Sequence, residues 1–345
     1  MKILFAGDLS SYGRTPQRLR ALQSLGHEVK AVSYVTGEHR PSVDRESLLD
    51  RVRWKLRLPP DPAGANQALR AAGRAEKYDV VWIEKGNTVR PATLRALRAS
   101  LPRAKIVACS EDDMYAVHNR TLWFTRCIPL YDVIFTTKVY NLEELKTLGA
   151  RATALFIDAF APEVHRPLTL TADERARFAC EVGFIGTFEE DRARQMLFLA
   201  EKGITVTVWG NGWGDWQKRH GNLVVKNLPL FGDDFARAIN ATKINLGFLR
   251  KRNRDQTTSR SVEIPACGAF LLAERTPRHE DLFREGQEAE FFGSLEELLV
   301  KVRKFLADPA AREKIAAAGR ARCLASGYDH ASQLRQMLNT LESHV

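Results

Sequence analysis

No CxxC pair occurs among the five cysteines (Cys109, Cys127, Cys180, Cys267 and Cys323), and an odd, scattered set cannot build a complete disulfide framework. They are expected to be reduced core thiols of a cytoplasmic protein. No apolar run reaches the roughly 18 residues of a membrane-spanning helix, and the run at the N-terminus is too short for a signal-peptide core. That first segment, Met-Lys-Ile-Leu-Phe-Ala-Gly, reads instead as a buried strand. Low-complexity tracts and short repeats are missing, as are a Walker A sequence, HExxH and GxSxG. GDLSSYG after the first strand has its two glycines at the wrong spacing for GxGxxG, which disfavours a nicotinamide dehydrogenase.

What is present is an ordinary globular composition. The 345 residues suggest two domains at about 150 residues each. Apolar residues at 44%, charged residues at 27% and a mean hydropathy of -0.30 exclude a disordered chain or a membrane channel. The net charge of +10 is uneven: residues 1–158 hold 25 Lys and Arg against 17 Asp and Glu, whereas residues 159–345 hold 27 against 25. A basic first half suggests an anionic partner, whether a lipid surface, an acidic polymer or nucleic acid, with a solvated basic surface as the plainer reading.

Short Val-, Ile- and Phe-rich runs alternate with amphipathic stretches, the pattern of βαβ units feeding parallel sheets. The first half offers strands at 2–6, 28–33, 79–84, 105–109, 132–137 and 152–156, and the second at 181–186, 204–209, 222–225, 243–248 and 269–273. Gly26 and Gly149 fall where a helix should end in a left-handed residue. Helices are expected at 294–307 and 309–325 and from about 330 to 343. The domains are therefore set at 1–160 and 179–328, joined by a linker at 161–178, with a C-terminal helix in 329–345 that packs back on the first domain. Doubly wound domains bind ligands at the carboxyl ends of their strands, and the cleft between two of them is the natural site.

Four segments carry candidate chemistry. The loop Ser10, Ser11, Tyr12 and Gly13 opens a helix with Pro16 in its first turn, so its amides can face a phosphate or sugar. In GFIGTFEEDRAR, Gly186 and Thr187 stand at a strand end, with Arg192 and Arg194 in the following helix. Small residues let amides approach a diphosphate and an arginine can clamp it. In residues 245–274 a strand ends in a basic loop (Arg250, Lys251, Arg252, Arg254, Arg260), and Thr257, Thr258 and Ser259 are expected to cap a helix bearing Glu263. A carboxylate one turn into that helix suits the two hydroxyls of a ribose. Residues 45–58, RESLLDRVRWKLRL, are a candidate basic amphipathic helix suited to an anionic leaflet, an acidic acceptor or simple packing. The bland alternative to each of these is a capped helix or a solvated charged face.

SRSVEIPACGAFLLAE, followed by the segment from Phe283 to Phe292, resembles the C-terminal signature of the CgeB-like glycosyltransferases, relatives of the family 4 (group 1) nucleotide-sugar glycosyltransferases. GFIGTFEEDR, WGNGW, FIDAFAPEVHRPL and YDHASQLRQML match as well, whereas the first half shares only the strand pattern. The resemblance implies an α/β GT-B fold of two Rossmann-like doubly wound domains facing a central cleft. It also implies transfer of a sugar from a nucleotide-diphosphate donor, UDP favoured, to an acceptor hydroxyl, with no metal and no resident cofactor. In the wider family a Glu-x7-Glu pair grips the donor. Glu263 matches its second member, on the ribose, and Asp255 stands where the first, sugar-facing Glu is usual. Arg192 and Arg260 are implied on the diphosphate, beside Gly186, Thr187, Thr258 and Ser259. No DxD stands at a second-half strand end. Glu111, Asp112 and Asp113, after the 105–109 strand, are implied to face the cleft and deprotonate or position the acceptor, a capping loop being the alternative. The acceptor is expected to be anionic: an envelope glycan or lipid reached at the inner membrane face, or a DNA base. A nucleotide-sugar epimerase-like enzyme and a non-catalytic polyanion-binding protein of the same fold are the alternatives.

Overall fold

A strand in a parallel sheet is covered on both faces, so its alternate side chains must serve two cores. The computed structural model, which describes residues 1–11, 13–37, 52–53 and 55–343, shows this in each of two units, Met1–Ile157 with His330–Val345, and Asp158–Asp329. Tyr12 and most of the 45–58 segment, including Trp54, lie outside the described residues.

The first unit is built on β1 (Lys2–Gly7), β2 (Glu28–Ser33), β3 (Val80–Glu84), β4 (Lys105–Ser110), β5 (Val133–Thr136) and β6 (Thr153–Leu155). They pair in the order β2-β1-β3-β4-β5-β6, all parallel, with Ile3 beside both Val29 and Val80. Leu4, Ala6, Val81, Ile83, Ile106 and Ile134 face helices Ala65–Ala75 and Pro91–Ser100. Ile3, Phe5, Trp82, Val107 and Phe135 face the other way, against Leu334, Met337, Leu338 and Leu341 of the helix His330–Ser343. The last helix of the chain thus completes the core of the first unit. Gly26 and Gly149 adopt φ of +82° and +95°, the helix-ending conformation their positions require.

The second unit holds β7 (Cys180–Ile185), β8 (Val206–Trp209), β9 (Leu223–Val225), β10 (Thr242–Gly247), β11 (Leu271–Glu274) and β12 (Glu290–Phe292), ordered β12-β11-β10-β7-β8-β9 and all parallel. Ala193, Met196, Leu199 and Ala200 place one stripe of helix Glu190–Glu201 on Val182, Phe184, Val206 and Val208. Two sequence expectations change here. Residues 161–178 lie within this unit and include the helix Ala172–Phe178, started by a capping box between Thr171 and Glu174. β12 is absent from the expected strands because its three residues sit among charges. Its Glu290, 5% exposed, is carried into the sheet by an ion pair of 2.6 Å to Lys301.

The five cysteines are free thiols, four of them buried. Among the described residues no helix is long and apolar enough to cross a membrane.

Candidate functional site

Both sheets reverse strand order beside their first strand, between β1 and β3 and between β7 and β10, and in such sheets the crevice for ligands opens outside the carboxyl ends at that point. The candidate residues of each unit gather there.

In the second unit the loops after β7 and β8 form one double loop. Gly186 N–H donates to the Trp209 carbonyl at 2.9 Å, Trp213 Nε1–H to the Gly186 carbonyl at 2.9 Å, and Phe188 N–H to the Asn211 carbonyl at 2.9 Å. A Cβ at Gly210 would stand 1.9 Å from the Gly186 oxygen, and one at Gly186 would stand 2.5 Å from the Phe184 ring. Gly210 is therefore demanded by the close approach of the two backbones, which brings GFIGTF and WGNGW together, and Gly186 by the Phe184 ring.

Arg192 bridges this loop to the end of β10. Its Nη1 donates to the Thr187 carbonyl at 3.3 Å, Nε to Leu249 at 3.4 Å and Nη2 to Phe248 at 3.4 Å, and its guanidinium stands 5.6 Å over the Phe184 ring. The residue is 5% exposed, and among the described residues no carboxylate pairs with it. Burial pushes its guanidinium below the ordinary value. A desolvated cation whose partners are three long-bonded neutral carbonyls is a site prepared for an anion. Arg194, by contrast, is exposed and paired with Glu190 at 3.0 Å.

The basic loop is more self-neutralised than its composition suggests. Arg250 pairs with Glu189 at 3.1 Å and Lys251 with Asp191 at 3.6 Å. Asp255 accepts from Asn253 Nδ2 at 2.6 Å and from the Arg250 amide at 3.3 Å, so it closes the turn Lys251–Asn253. The expected hydroxyl capping of helix Arg260–Ala266 does not occur: Ser259 occupies the cap position without a side-chain cap bond, and Thr257 donates to Asp158 at 3.1 Å. The Thr258 amide instead donates to Ser261 Oγ at 3.0 Å.

Glu263, 2% exposed, is held by the Arg260 guanidinium, and its Oε1 lies 3.7 Å from His165 Nε2. His165 Nδ1 accepts the Ala161 amide at 2.9 Å, which puts the ring proton on Nε2, facing the carboxylate. Arg260 also donates to the Ile185 carbonyl at 3.2 Å and lies 4.3 Å over Phe235. His165 escaped sequence reasoning because no metal-ligand or catalytic spacing marks it; only the fold of residues 158–166 brings it to Glu263.

His279 was missed for the same reason. Its Nδ1–H donates to the Glu274 carbonyl at 2.7 Å, leaving Nε2 to accept the Ser261 hydroxyl at 2.7 Å. Thr276 Oγ1 donates to the Gln256 carbonyl at 2.6 Å, so the segment after β11 holds the basic loop through Thr276 and the helix that follows the loop through His279. Burial drives the His279 pKa from 6.5 down to about 4. The unfolded chain therefore binds the extra proton between those values, and stability contributed above pH 6.5 is lost as pH falls towards 4. Urea unfolding at pH 7.5 and pH 4.5 is expected to show a loss that His279→Gln reduces by about 2 kcal/mol.

In the first unit, Arg18 of helix Thr15–Ser24 makes a bidentate pair with Glu84 at the end of β3, at 2.8 and 3.0 Å, and reaches Glu111 at 3.1 Å. Trp82 Nε1–H donates to Glu84 at 2.7 Å, and Arg14 takes the second Glu111 oxygen. Burial alone would raise the Glu111 carboxyl, but Arg14 and Arg18 hold it well below the usual carboxylate range. A Cβ at Gly7 would meet Thr15 Cγ2 at 2.5 Å, so the glycine lets this helix seat against the strand end. The loop that follows is closed by Ser10 N–H on Asp8 at 3.0 Å and Gly13 N–H on the Ser10 carbonyl at 3.1 Å; Ser11 is exposed.

The three adjacent acids have different surroundings. Glu111 is clasped by two arginines, and Asp113, fully buried, accepts from the Tyr115 and Ala116 amides and from Asn141 Nδ2 at 3.1, 3.2 and 2.8 Å. Asp112 is half-buried and pairs with the exposed Lys85 at 2.6 Å. Among the described residues no group of three or more His, Cys, Asp or Glu side chains is placed to hold a metal ion.

Residues 192–339 match a family model described as glycosyl transferase-like. No curated protein matches the chain in sequence. Three solved structures share its fold at 14% identity. Sucrose-phosphate synthase from Thermosynechococcus elongatus has a TM-score of 0.69, covering 100% of both chains. Anabaena Alr3699/HepE in complex with UDP-glucose has a TM-score of 0.65, covering 99% of this chain and 100% of that one. An alpha-glucosyltransferase in complex with UDP-glucose and DNA containing an abasic site has a TM-score of 0.65, covering 99% and 98%. The chain has the GT-B fold of these glycosyltransferases, and its second half carries a glycosyl transferase-like domain.

Proposed function

We propose that this protein is a UDP-sugar glycosyltransferase whose donor diphosphate lies at the β7–β10 crevice of the second unit. The observation that carries the reading is Arg192, a buried guanidinium bonded only to carbonyls beside the Gly186–Thr187 backbone. When the acceptor oxygen bonds the anomeric carbon, the bond from that carbon to the phosphate oxygen breaks and UDP leaves with the electron pair. Arg192 and the Thr187 amide meet the charge that grows on the leaving group, and the chemistry asks for no metal. The nucleotides carried by the HepE and alpha-glucosyltransferase complexes support UDP as the donor.

Glu263 is assigned to the ribose. The Arg260 side chain, 27% exposed, is the group that moves to admit the hydroxyls to the Glu263 carboxylate. Thr258 and Ser259 flank it, and Asp255, which shapes the basic loop, takes the sugar-facing side. On the acceptor side Asp112 is the acid assigned to hold the hydroxyl and accept its proton, while Glu111 and Asp113 fix the loop that carries it. Ser10, Ser11 and Gly13 border the same strand ends.

A thermal-shift panel of UDP, GDP, ADP, dTDP and their common sugars, each with EDTA and with divalent metal, tests the donor. UDP and its sugars are expected to raise the melting midpoint by a few degrees in both conditions, as about 2.7 kcal/mol of linkage at 100 times Kd requires. Glu263→Gln is expected to shrink that shift and keep the unliganded midpoint. A folded protein silent to the whole panel overturns the reading, and release of free sugar or an isomer without acceptor turns it to the epimerase-like alternative.

A further inference from the structure

We infer that the first unit holds a binding site for a small acceptor bearing a phosphate beside a ring, in a pocket of about 500 Å³ lined by Arg53, Arg90, Trp123 and the Leu58–Pro62 segment. Naming the occupant as the acceptor rests on the glycosyltransferase reading; the phosphate chemistry rests on the pocket itself.

The walls come from segments that follow β2, β3 and β4, so the pocket opens on the carboxyl edge of the sheet, where ligands of doubly wound sheets bind. Leu58–Pro62 precedes helix Ala65–Ala75, Arg90 starts helix Pro91–Ser100, and Trp123 belongs to helix Leu122–Cys127. Arg90 and Arg126 each stand 5.9 Å from the Trp123 ring centre. Behind them Arg57 donates to the Arg120 carbonyl at 3.3 and 3.2 Å. Among the described residues none of Arg57, Arg90, Arg120 and Arg126 pairs with a carboxylate, although the rest of the chain pairs many of its cations. Burial first, and then the nearby Arg57, lower the Arg120 guanidinium from its ordinary value.

The hydrogen-bonding character of the lining is one-sided. Guanidinium groups only donate, and so does an indole. Among the described residues the buried Trp123 Nε1–H meets no hydrogen-bond partner, whereas such groups ordinarily find one. The one acid in the wall, Asp61, is spent on its own helix: its oxygens accept the Ala65 and Asn66 amides at 2.9 Å and Asn66 Nδ2 at 2.8 Å. Beside the spent Asp61, the charged side chains of the described wall are the guanidinium groups of Arg53 and Arg90, a set that favours an acceptor-rich anion, and guanidinium forks fit phosphate best. Pro59, Pro60 and Pro62 and the indole supply an apolar wall for a ring. The volume suits one small molecule, which favours a phosphorylated sugar or nucleotide over a polymer.

The test pairs phosphorylated probes with their dephosphorylated partners: glucose 6-phosphate with glucose, fructose 6-phosphate with fructose, UMP with uridine, and inorganic phosphate alone. Binding is measured by calorimetry on the full chain. At least one phosphorylated member is expected to bind tenfold or more tightly than both its partner and inorganic phosphate. Arg90→Ala and Trp123→Phe are expected to weaken it tenfold or more and leave UDP binding as in the parent. The sugar-phosphate and nucleotide arms distinguish the source of the phosphate. No difference within any pair, or a preference that survives both substitutions, overturns the proposal, and so does a DNA duplex that binds tighter than every small phosphate. UDP binding in the same samples separates the two readings, because its absence alone fails the donor assignment and leaves the phosphate pocket standing.

Discussion

Arg192→Met is expected to cut turnover of a UDP-sugar by about 100-fold or more while the melting midpoint moves by no more than a few degrees. The contrast between the two readouts follows from the side chain's surroundings. Arg192 is buried, yet its partners are three carbonyls at 3.3–3.4 Å, bonds too long to offset the loss of water around a full charge. A methionine of similar length keeps the packing on Phe184 and removes the desolvated charge, which leaves stability nearly unchanged. A departing diphosphate, in contrast, loses its buried cation, and removal of one such electrostatic contact costs roughly 3 kcal/mol in the transition state. Steady-state kinetics and a melting curve on the same preparation check both halves. A large fall in the midpoint with turnover lost in proportion assigns Arg192 to the fold alone.

Arg18→Met is expected to destabilise the first unit by about 3–5 kcal/mol, the cost of leaving a buried charge without its partner. Glu84 and Arg18 are each about 6% exposed at the side chain, and Glu111 loses one of its two arginines as well. Urea unfolding followed by the fluorescence of Trp82, which donates to Glu84, reads the change near its source. Adding Glu84→Gln to Arg18→Met is expected to recover more than half of the loss, because an amide in place of the carboxylate removes the stranded charge. An additive, non-recovering double variant means that packing and not charge pairing holds this corner.

The alternation of strands and helices was legible along the chain because buried parallel strands need apolar runs and helices need an apolar stripe. Eleven of the twelve strands among the described residues follow from that pattern. β12 does not, since Glu290 reads as a surface charge until Lys301, a neighbour only in space, neutralises it. The helix Ala172–Phe178 carries its capping box openly in Thr171 and Glu174, but Pro162 and Pro167 make the segment read as a linker. The candidate site divides in the same way. Gly186, Arg192 and Glu263 stand out by their place after a strand or in a helix turn. His165, His279 and the pairing of Arg90 with Trp123 carry no spacing signal, because their partners lie in other segments of the chain.

Local periodicity is enough to set two α/β halves, their strand edges and the loops where chemistry belongs, since each depends on residues a few positions apart. Partnership depends on the closed fold. Glu111, Asp112 and Asp113 are equal neighbours in sequence, yet folding gives the first two arginines, the second an exposed lysine and the third three N–H donors. The same holds for the arginines: Arg194 meets the glutamate one turn away that the helix provides, whereas Arg192 turns inward and meets only carbonyls. Sequence sets which charges are available, and burial with its long-range partners decides which of them remain to act on a ligand.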